Sequence, residues 1–298
     1  MTESTMTASS STHLTPTHLT PLDAQDPLRE RLRAAAQTVR DTTPLAQAVT
    51  NFVTINFVAN AQLAAGGTAA MSFLPDDVID TAKICNASYI NVGTLQPYYK
   101  EAFPEIAKAF AGMKHPWVLD PVAAGIGETR TSILMAFKDY PPTVIRGNAS
   151  EIITLARMWG CIAQAEGTRP QGVESVDDVD TAHDAAQHLA RFIGGAVAVS
   201  GAIDLVTDGD ATYRLTGGSL YMTKITGAGC SLGGVTATYL AVTDPLTAAV
   251  AASAHYNVAG SAAEGAAHGP GSFQTEFVDA LWNATPEAIA KADIAREN

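Results

Sequence analysis

Positively charged residues are scarce in this chain of 298 residues, which has 18 Lys and Arg against 30 Asp and Glu and a formal net charge of -12. No run of Lys and Arg reaches four residues. A nucleic-acid partner needs a basic surface from which counterions are released, so we expect no nucleic acid among the partners. Aromatic residues make up only 7% of the chain, which also argues against platforms for stacking bases.

Cysteines and long apolar runs are limited as well. Cys85, Cys161 and Cys230 are odd in number, widely spaced and free of any CxxC pair. They favour neither a disulfide framework nor a zinc site, so we expect a reducing, cytoplasmic location. No apolar run reaches the roughly 18 residues that a membrane span needs without charges or turn formers. We therefore expect no membrane partner.

The two parts of the chain differ in composition. Residues 1–25 are rich in Ser, Thr and Pro and contain no Lys or Arg, which is unlike a signal or transit peptide. We predict a disordered tail there. Residues 26–298 contain no linker or internal repeat, and the hydrophobic content of 47% supports one large core. We predict a single domain over 26–298.

Short apolar strands alternate with helical patterns along this domain. The predicted strands cover 46–50, 68–71, 88–92, 117–120, 143–146 and 196–200. This order predicts a three-layer α/β/α fold with a mostly parallel central sheet. Residues 203–222 alternate around two turns, at Gly209-Asp210 and Gly217-Gly218, and predict an antiparallel meander at one edge. We interpret 164–177 as an exposed loop.

Polar residues that directly follow the strands are candidate ligands, because open α/β sheets bind ligands at the carboxyl ends of their strands. This rule selects Asn51, Met71-Ser72, Asn91–Gly93, Asp120, Arg146 with Asn148 and Glu151, and Ser200-Gly201.

Thr226–Cys230 reads TGAGC and precedes a helix of small residues. Its glycines permit a sharp turn, and the N–H groups of Gly227, Ala228, Gly229 and Cys230 at the helix start would converge on one anion, such as a transferred phosphoryl group. A tight turn before a buried helix is the alternative. A dinucleotide fingerprint matches only weakly, and the absence of GxxxxGK[ST] excludes a P-loop.

Four residues at strand ends have the side chains that a phosphate and metal site requires. Asp120 could hold Mg²⁺ or orient phosphates, and Glu151 could bind the metal through water. Arg146 could pair with a phosphate, and the Ser200 hydroxyl could donate to one. The alternatives are a turn or helix cap for Asp120 and Ser200, and surface salt bridges for Arg146 and Glu151.

Five segments together carry a family resemblance. They are Pro44–Asn60 (PLAQAVTNFVTINFVAN), Asn91–Leu95 (NVGTL), Leu119–Val122 (LDPV), Arg146–Glu151 (RGNASE) and Thr226–Cys230 (TGAGC). In this order they resemble the conserved blocks of hydroxyethylthiazole kinases, which have the ribokinase-like fold. The resemblance implies ATP- and Mg²⁺-dependent phosphorylation of 4-methyl-5-(2-hydroxyethyl)thiazole, in thiamine phosphate biosynthesis and salvage.

The resemblance also implies roles for individual residues. Asn51, Val53, Met71, Gly93 and Gly227 would line the thiazole pocket. Asp120, Arg146, Glu151 and Ser200 would bind the nucleotide, with Asp120 and Glu151 serving Mg²⁺. It further implies a homotrimer with sites at subunit boundaries, and we expect the apolar positions 53, 57 and 58 to be available for a neighbouring subunit.

Ser200 and Ala46-Gln47-Ala48 differ from the family pattern, and Cys230 differs from the sugar kinases of this fold. Ser200 stands where the family often has Thr, and Ala46-Gln47-Ala48 departs from the family pattern. Cys230 stands where sugar kinases of this fold have a catalytic Asp. We expect the helix N-terminus to lower the pKa of this thiol. Two alternatives stay open, namely a ribokinase-like kinase for another small alcohol, such as hydroxymethylpyrimidine, and a non-catalytic ligand-binding oligomer.

Overall fold

The computed structural model describes residues 19–163 and 179–298, so the predicted loop at 164–177 and most of the predicted tail lie outside the described residues. The strands of the described ranges are β1 (Leu19–Pro21), β2 (Leu45–Val49), β3 (Thr68–Met71), β4 (Ala87–Asn91), β5 (Trp117–Asp120), β6 (Val144–Asn148), β7 (Ala196–Ser200), β8 (Asp204–Thr207), β9 (Thr212–Leu215) and β10 (Ile294–Glu297).

Eleven α-helices accompany these strands in the same ranges. They are α1 (Pro27–Thr42), α2 (Ile55–Ala64), α3 (Pro75–Thr81), α4 (Tyr99–Met113), α5 (Glu128–Phe137), α6 (Ala149–Trp159), α7 (His183–Ile193), α8 (Ala228–Leu240), α9 (Pro245–Ala266), α10 (Pro270–Asn283) and α11 (Pro286–Ala290). Short 3₁₀ helices occupy Val179–Ala182 and Leu220–Lys224. None of the helices in the described ranges is long and apolar enough to span a membrane.

The strands form one sheet in the order β1-β10-β9-β8-β7-β6-β5-β4-β2-β3. The run from β7 to β3 is parallel, and the run from β7 to β1 is antiparallel. Successive strand residues face opposite cores: Val118 packs with α1, α2 and α8–α11, whereas Leu119 packs with α3–α7. The predicted three-layer, mostly parallel α/β/α fold is confirmed.

The start of the fold differs from the prediction for residues 1–25. Leu19–Pro21 pairs with β10, Leu22 is buried, and the Asp26 carboxylate caps α1. The tail prediction is therefore wrong for residues 19–25. Three residues that include a proline give too weak a local pattern to indicate a strand, and their partner lies at the other end of the chain.

The antiparallel meander predicted over residues 203–222 at one edge of the sheet is confirmed only in part. Its two strands, β8 and β9, are antiparallel and turn at Gly209-Asp210 as predicted. They do not lie at the edge, however, because β10 and β1 continue the sheet beyond β9. The segment after Gly218 is a 3₁₀ helix instead of a further strand.

The apolar face expected at positions 53, 57 and 58 is mostly internal. Phe57 packs against Phe277, with ring centroids 6.4 Å apart, and Val58 is fully buried. Only Val53 is exposed, with 67% of its surface accessible. The expectation that Phe57 and Val58 are available to a neighbouring subunit is therefore wrong, since the chain's own helices cover them.

Candidate active site

A buried carboxylate lies at the centre of the polar side chains on the carboxyl edge of the sheet. Asp120 ends β5 and is fully buried. Its Oδ2 accepts hydrogen bonds from the Tyr89 hydroxyl at 2.9 Å, from Asn91 Nδ2 at 3.0 Å and from Arg146 Nη1 at 3.2 Å. Its Oδ1 is buried and has no partner among the described residues. That oxygen is therefore free to bind a ligand.

Arg146 provides a buried positive charge beside this carboxylate. Its Nη2 donates to Ser200 Oγ at 2.7 Å, so it joins β5 and β7 through β6. Burial alone would lower the pKa of the guanidinium, but Asp120 and the other acidic groups around it raise that pKa above its usual range. Arg146 is thus a permanent cation within the site.

Glu151 lies in the first turn of α6 and forms a capping box with Asn148. Its two carboxylate oxygens accept backbone N–H groups, Oε1 from Ala123 at 3.0 Å and Oε2 from Asn148 at 2.9 Å. Burial, and then the nearby charge of Asp120, raise the pKa of Glu151 to about 7. The two predicted metal residues are therefore electrostatically coupled.

These two carboxylates fit a divalent cation in chemical character. The unpartnered Asp120 Oδ1 offers a hard oxygen ligand, and a cation would offset the burial and the Asp120 charge that raise the pKa of Glu151. No group of three or more His, Cys, Asp or Glu side chains suited to a metal occurs among the described residues. The remaining ligands would be phosphate oxygens and water.

Asn51 connects this network to the start of α8. Its Nδ2 donates to Asn91 Oδ1 at 3.1 Å and to Cys230 Sγ at 3.4 Å, while its Oδ1 accepts the N–H of Val53 at 3.2 Å. Gly93 lies directly beside it, because a Cβ on Gly93 would be 3.0 Å from Asn51 Cβ. The structure therefore brings together two of the residues predicted for the thiazole pocket.

The TGAGC segment starts α8 over Arg146. Gly227 is the N-cap residue with φ +95°, a left-handed conformation that favours glycine, and a Cβ there would lie 2.9 Å from Thr54 Cγ2. A Cβ on Gly229 would be 3.1 Å from Arg146 Nη1. The first helical hydrogen bond is donated by Ser231, so the N–H groups of residues 228–230 have no partner within the helix.

The thiol of Cys230 differs electrostatically from the expectation. Burial raises its pKa most, Asp120 raises it further, and the polar side chains of Thr54 and Asn51 and the charge of Arg146 lower it by less. The expected lowering by the helix N-terminus is therefore wrong in its net direction. Partial burial and the nearby carboxylate together outweigh the helix dipole at this thiol.

The comparisons with known proteins agree with this geometry. A sequence profile of the hydroxyethylthiazole kinase family matches residues 36–287. The chain belongs to the hydroxyethylthiazole kinase family. The resemblance stated from the five sequence segments is thereby confirmed, and all five lie within the matched range.

Individual members of the family are similar over most of the chain. Hydroxyethylthiazole kinase from Bifidobacterium longum (strain DJO10A) is 62% identical over 289 residues, which cover 91% of this chain and 92% of the relative. The solved structure of hydroxyethylthiazole kinase from Pyrococcus horikoshii OT3 has a TM-score of 0.80 at 28% identity, covering 90% of this chain and all of that one. The expected kinase class is confirmed.

The ribokinase-like fold is confirmed by a more distant structure. A ribokinase-like superfamily protein from Enterococcus faecalis V583 has a TM-score of 0.53 at 11% identity, covering 90% of this chain and 93% of that one. At this identity the likeness concerns the fold alone.

Two residues predicted for the family's thiazole pocket lie apart from the central network. Val53 lines an open pocket of about 390 Å³ with Lys224 and Thr226, next to the TGAGC segment. Met71 ends β3, the outermost strand on this side, and two strand spacings, or about 10 Å, separate β3 from β4. The fold of one chain therefore leaves Met71 at the margin of the site.

Sequence reasoning missed two contributors to the site. Tyr89 lies within β4, yet its hydroxyl reaches the Asp120 carboxylate. Thr54 packs against Gly227, and its buried hydroxyl has no hydrogen-bond partner among the described residues. Tyr89 is two residues before Asn91 and therefore faces the same side of the sheet, which is the one signal that could have identified it.

Proposed function

We propose that this chain phosphorylates the primary alcohol of 4-methyl-5-(2-hydroxyethyl)thiazole with ATP, in thiamine phosphate biosynthesis and salvage. Membership of the hydroxyethylthiazole kinase family supports the substrate. The observation that carries the chemistry is the start of α8, where the N–H groups of residues 228–230 have no partner within the helix and Gly229 lies against Arg146, which is paired with Asp120. We further propose a cytoplasmic location, where its free cysteines stay reduced.

The start of α8 would stabilise the charge that develops on the phosphoryl group. The N–H groups of residues 228–230 and the helix dipole favour an anion at this point, and Arg146 beneath Gly229 adds positive potential. Because the terminal nitrogens Nη1 and Nη2 of Arg146 already bond to Asp120 and Ser200, we expect its charge to act mainly through the field at the phosphates.

The nucleotide side would consist of Asp120, Arg146, Glu151 and Ser200, and the alcohol side of Asn51, Val53, Met71, Gly93 and Gly227. Asp120 and Glu151 would hold Mg²⁺. When bound, this ion would neutralise charge on the phosphate oxygens. The side chains around Asp120 exclude water from the carboxylate and fix its orientation.

The proposed reaction does not require Cys230 to act as a strong base. Its raised pKa keeps it a thiol near neutral pH. Phosphoryl transfer passes through a loose transition state, in which the attacking alcohol needs little deprotonation. We therefore propose direct transfer from ATP to the alcohol, with positioning and electrostatics as the main contributions.

We propose a homotrimer with sites shared between subunits. The support comes from an apolar surface patch that consists of Phe52, Val53, Phe73 and Leu74. Phe52 and Phe73 stack with ring centroids 4.8 Å apart, and Phe52, Val53 and Leu74 are all exposed. The patch adjoins Met71, so a neighbouring subunit could complete the pocket that one chain leaves open.

A coupled assay of ADP release tests the proposed function. Purified protein is supplied separately with hydroxyethylthiazole, hydroxymethylpyrimidine and ribose. Highest kcat/KM for hydroxyethylthiazole is expected. Preference for another alcohol would favour the related-kinase alternative, and binding without ADP release would favour the non-catalytic oligomer.

A further inference from the structure

Asn91 uses every hydrogen-bonding position of its amide at the carboxyl end of β4. Its Nδ2 donates to Asp120 Oδ2 at 3.0 Å and to the Tyr89 hydroxyl at 2.9 Å. Its Oδ1 accepts from Asn51 Nδ2 at 3.1 Å and from the N–H of Gly93 at 2.9 Å. The residue is only 3% exposed, so water cannot substitute for these partners.

The chemistry of its neighbours fixes the orientation of this amide. The N–H of Gly93 can only donate and therefore faces the amide oxygen, whereas Asp120 Oδ2 accepts from its neighbours and faces the NH₂ group. A Cβ on Gly93 would lie 2.7 Å from Asn91 Oδ1, so glycine is required for this approach. One arrangement of the amide satisfies all four partners.

We propose that Asn91 is a positioning residue that couples the alcohol side of the site to the nucleotide side. This inference rests on the proposed function, which assigns Asn51 and Gly93 to one side and Asp120 to the other. The same amide bonds to both groups. A shift of Asp120 toward a metal or phosphate is therefore transmitted to Asn51, and onward to Cys230 at the start of α8.

The loss of Asn91 would affect both sides in a defined way. Oδ2 of Asp120 would keep two of its three donors, and the carboxylate could rotate and expose a different oxygen to the ligand. The Nδ2 of Asn51 would lose its oxygen acceptor on Asn91, and its remaining hydrogen bond would be the weak one to the Cys230 sulfur. Fully satisfied buried networks hold their members rigid, and partly satisfied ones do not.

Calorimetric binding to Asn91→Leu tests this coupling, because Leu has a similar size and no polar atoms. The dissociation constant of hydroxyethylthiazole is measured with and without a saturating non-hydrolysable ATP analogue and Mg²⁺. The control is Ser200→Ala, which removes the acceptor of Arg146 Nη2 on the nucleotide side and touches neither Asn91 nor Asn51.

In the wild type we expect the analogue to change thiazole affinity by about fivefold or more, within the usual range of coupling between sites. Asn91→Leu should reduce this factor to about twofold or less, and Ser200→Ala should retain it while weakening the affinity for the nucleotide alone. If Asn91→Leu does not fold, Asn91→Ser serves instead, with the same expected loss.

A wild-type factor near one, or an unchanged factor in the Asn91 variant, would overturn the inference. A variant with a lower melting temperature but normal coupling and normal KM values would reduce Asn91 to a purely structural role. Failure of the proposed function would give a different result, because the wild type itself would then neither bind nor phosphorylate the thiazole.

Discussion

Substitutions at the start of α8 test the mechanism, and those of Cys230 test it most directly. Because its thiol stays protonated and direct transfer needs no strong base, Cys230→Ala should lower the single-turnover rate by only about 10–100-fold. Cys230→Asp should remain active, since Asn51 Nδ2 and the helix start can both stabilise a carboxylate there. If Cys230→Asp is inactive with normal ligand affinities, the thiol has a role that no base replaces.

The raised pKa of Glu151 predicts how proton release on nucleotide binding depends on pH. Its pKa of about 7 means that it is partly protonated at neutral pH. A cation favours the ionised form, so binding of a preformed complex of Mg²⁺ with an ATP analogue should release protons near pH 7. The release should vanish at about pH 9, where the carboxylate is already ionised.

Calorimetry in buffers with different ionisation enthalpies measures this release. Glu151→Gln is the control, because the amide keeps the size and cannot titrate. Equal proton release in the wild type and in Glu151→Gln at pH 7 would show that another group titrates on binding.

The polar residues near the carboxyl ends of strands were largely predictable, and the aromatic Tyr89 was not. Asn51, Asp120, Arg146 and Ser200 follow from the rule that ligands bind at the carboxyl ends of parallel strands. Tyr89 was missed because only the tertiary packing shows that its hydroxyl reaches the next strand. The direction of the pKa shift of Cys230 was wrong for the same reason, since burial is not visible in a local motif.

At the scale of elements, the close packing of α8 on the sheet positions the anion-binding turn. A Cβ on Gly233 would lie 2.3 Å from Tyr89 Cε2, so Gly233→Ala must displace either the helix or the ring that bonds to Asp120. We expect a loss of about 1–3 kcal/mol in the free energy of unfolding together with a lower kcat.

Chemical denaturation and steady-state kinetics measure the two effects. Gly265→Ala is the matched control within a helix, since a Cβ there meets nothing within 4 Å, and it should stabilise the protein by up to about 1 kcal/mol. Full stability in Gly233→Ala would mean that α8 does not need its close approach to Tyr89.

The alternation of strands and helices was predictable because each parallel strand is a short apolar run between turn formers. β1 and β10 were missed for a physical reason. Each has only three or four residues, and the two strands pair with each other from opposite ends of the chain, while β10 also pairs with β9. Local sequence patterns give no information about strand pairings between distant parts of the chain.

At the scale of the whole molecule, the apolar surface patch predicts assembly of three chains into a homotrimer. Light scattering at assay concentration should give the mass of three chains, and Leu74→Arg should lower it, because a charge on the patch opposes burial. The same variant should weaken thiazole binding if the sites are shared. A wild-type monomer with full activity would contradict shared sites.

A competition experiment tests the proposed kinase activity most directly. Hydroxyethylthiazole, hydroxymethylpyrimidine and ribose at equal concentrations compete for the enzyme under limiting ATP, and the phosphorylated products are quantified by mass spectrometry. The product ratios then equal the ratios of kcat/KM, and Asp120→Asn confirms that the products come from this site. We predict that thiazole phosphate exceeds the others by at least about tenfold. A larger yield of either other phosphate would contradict the assignment.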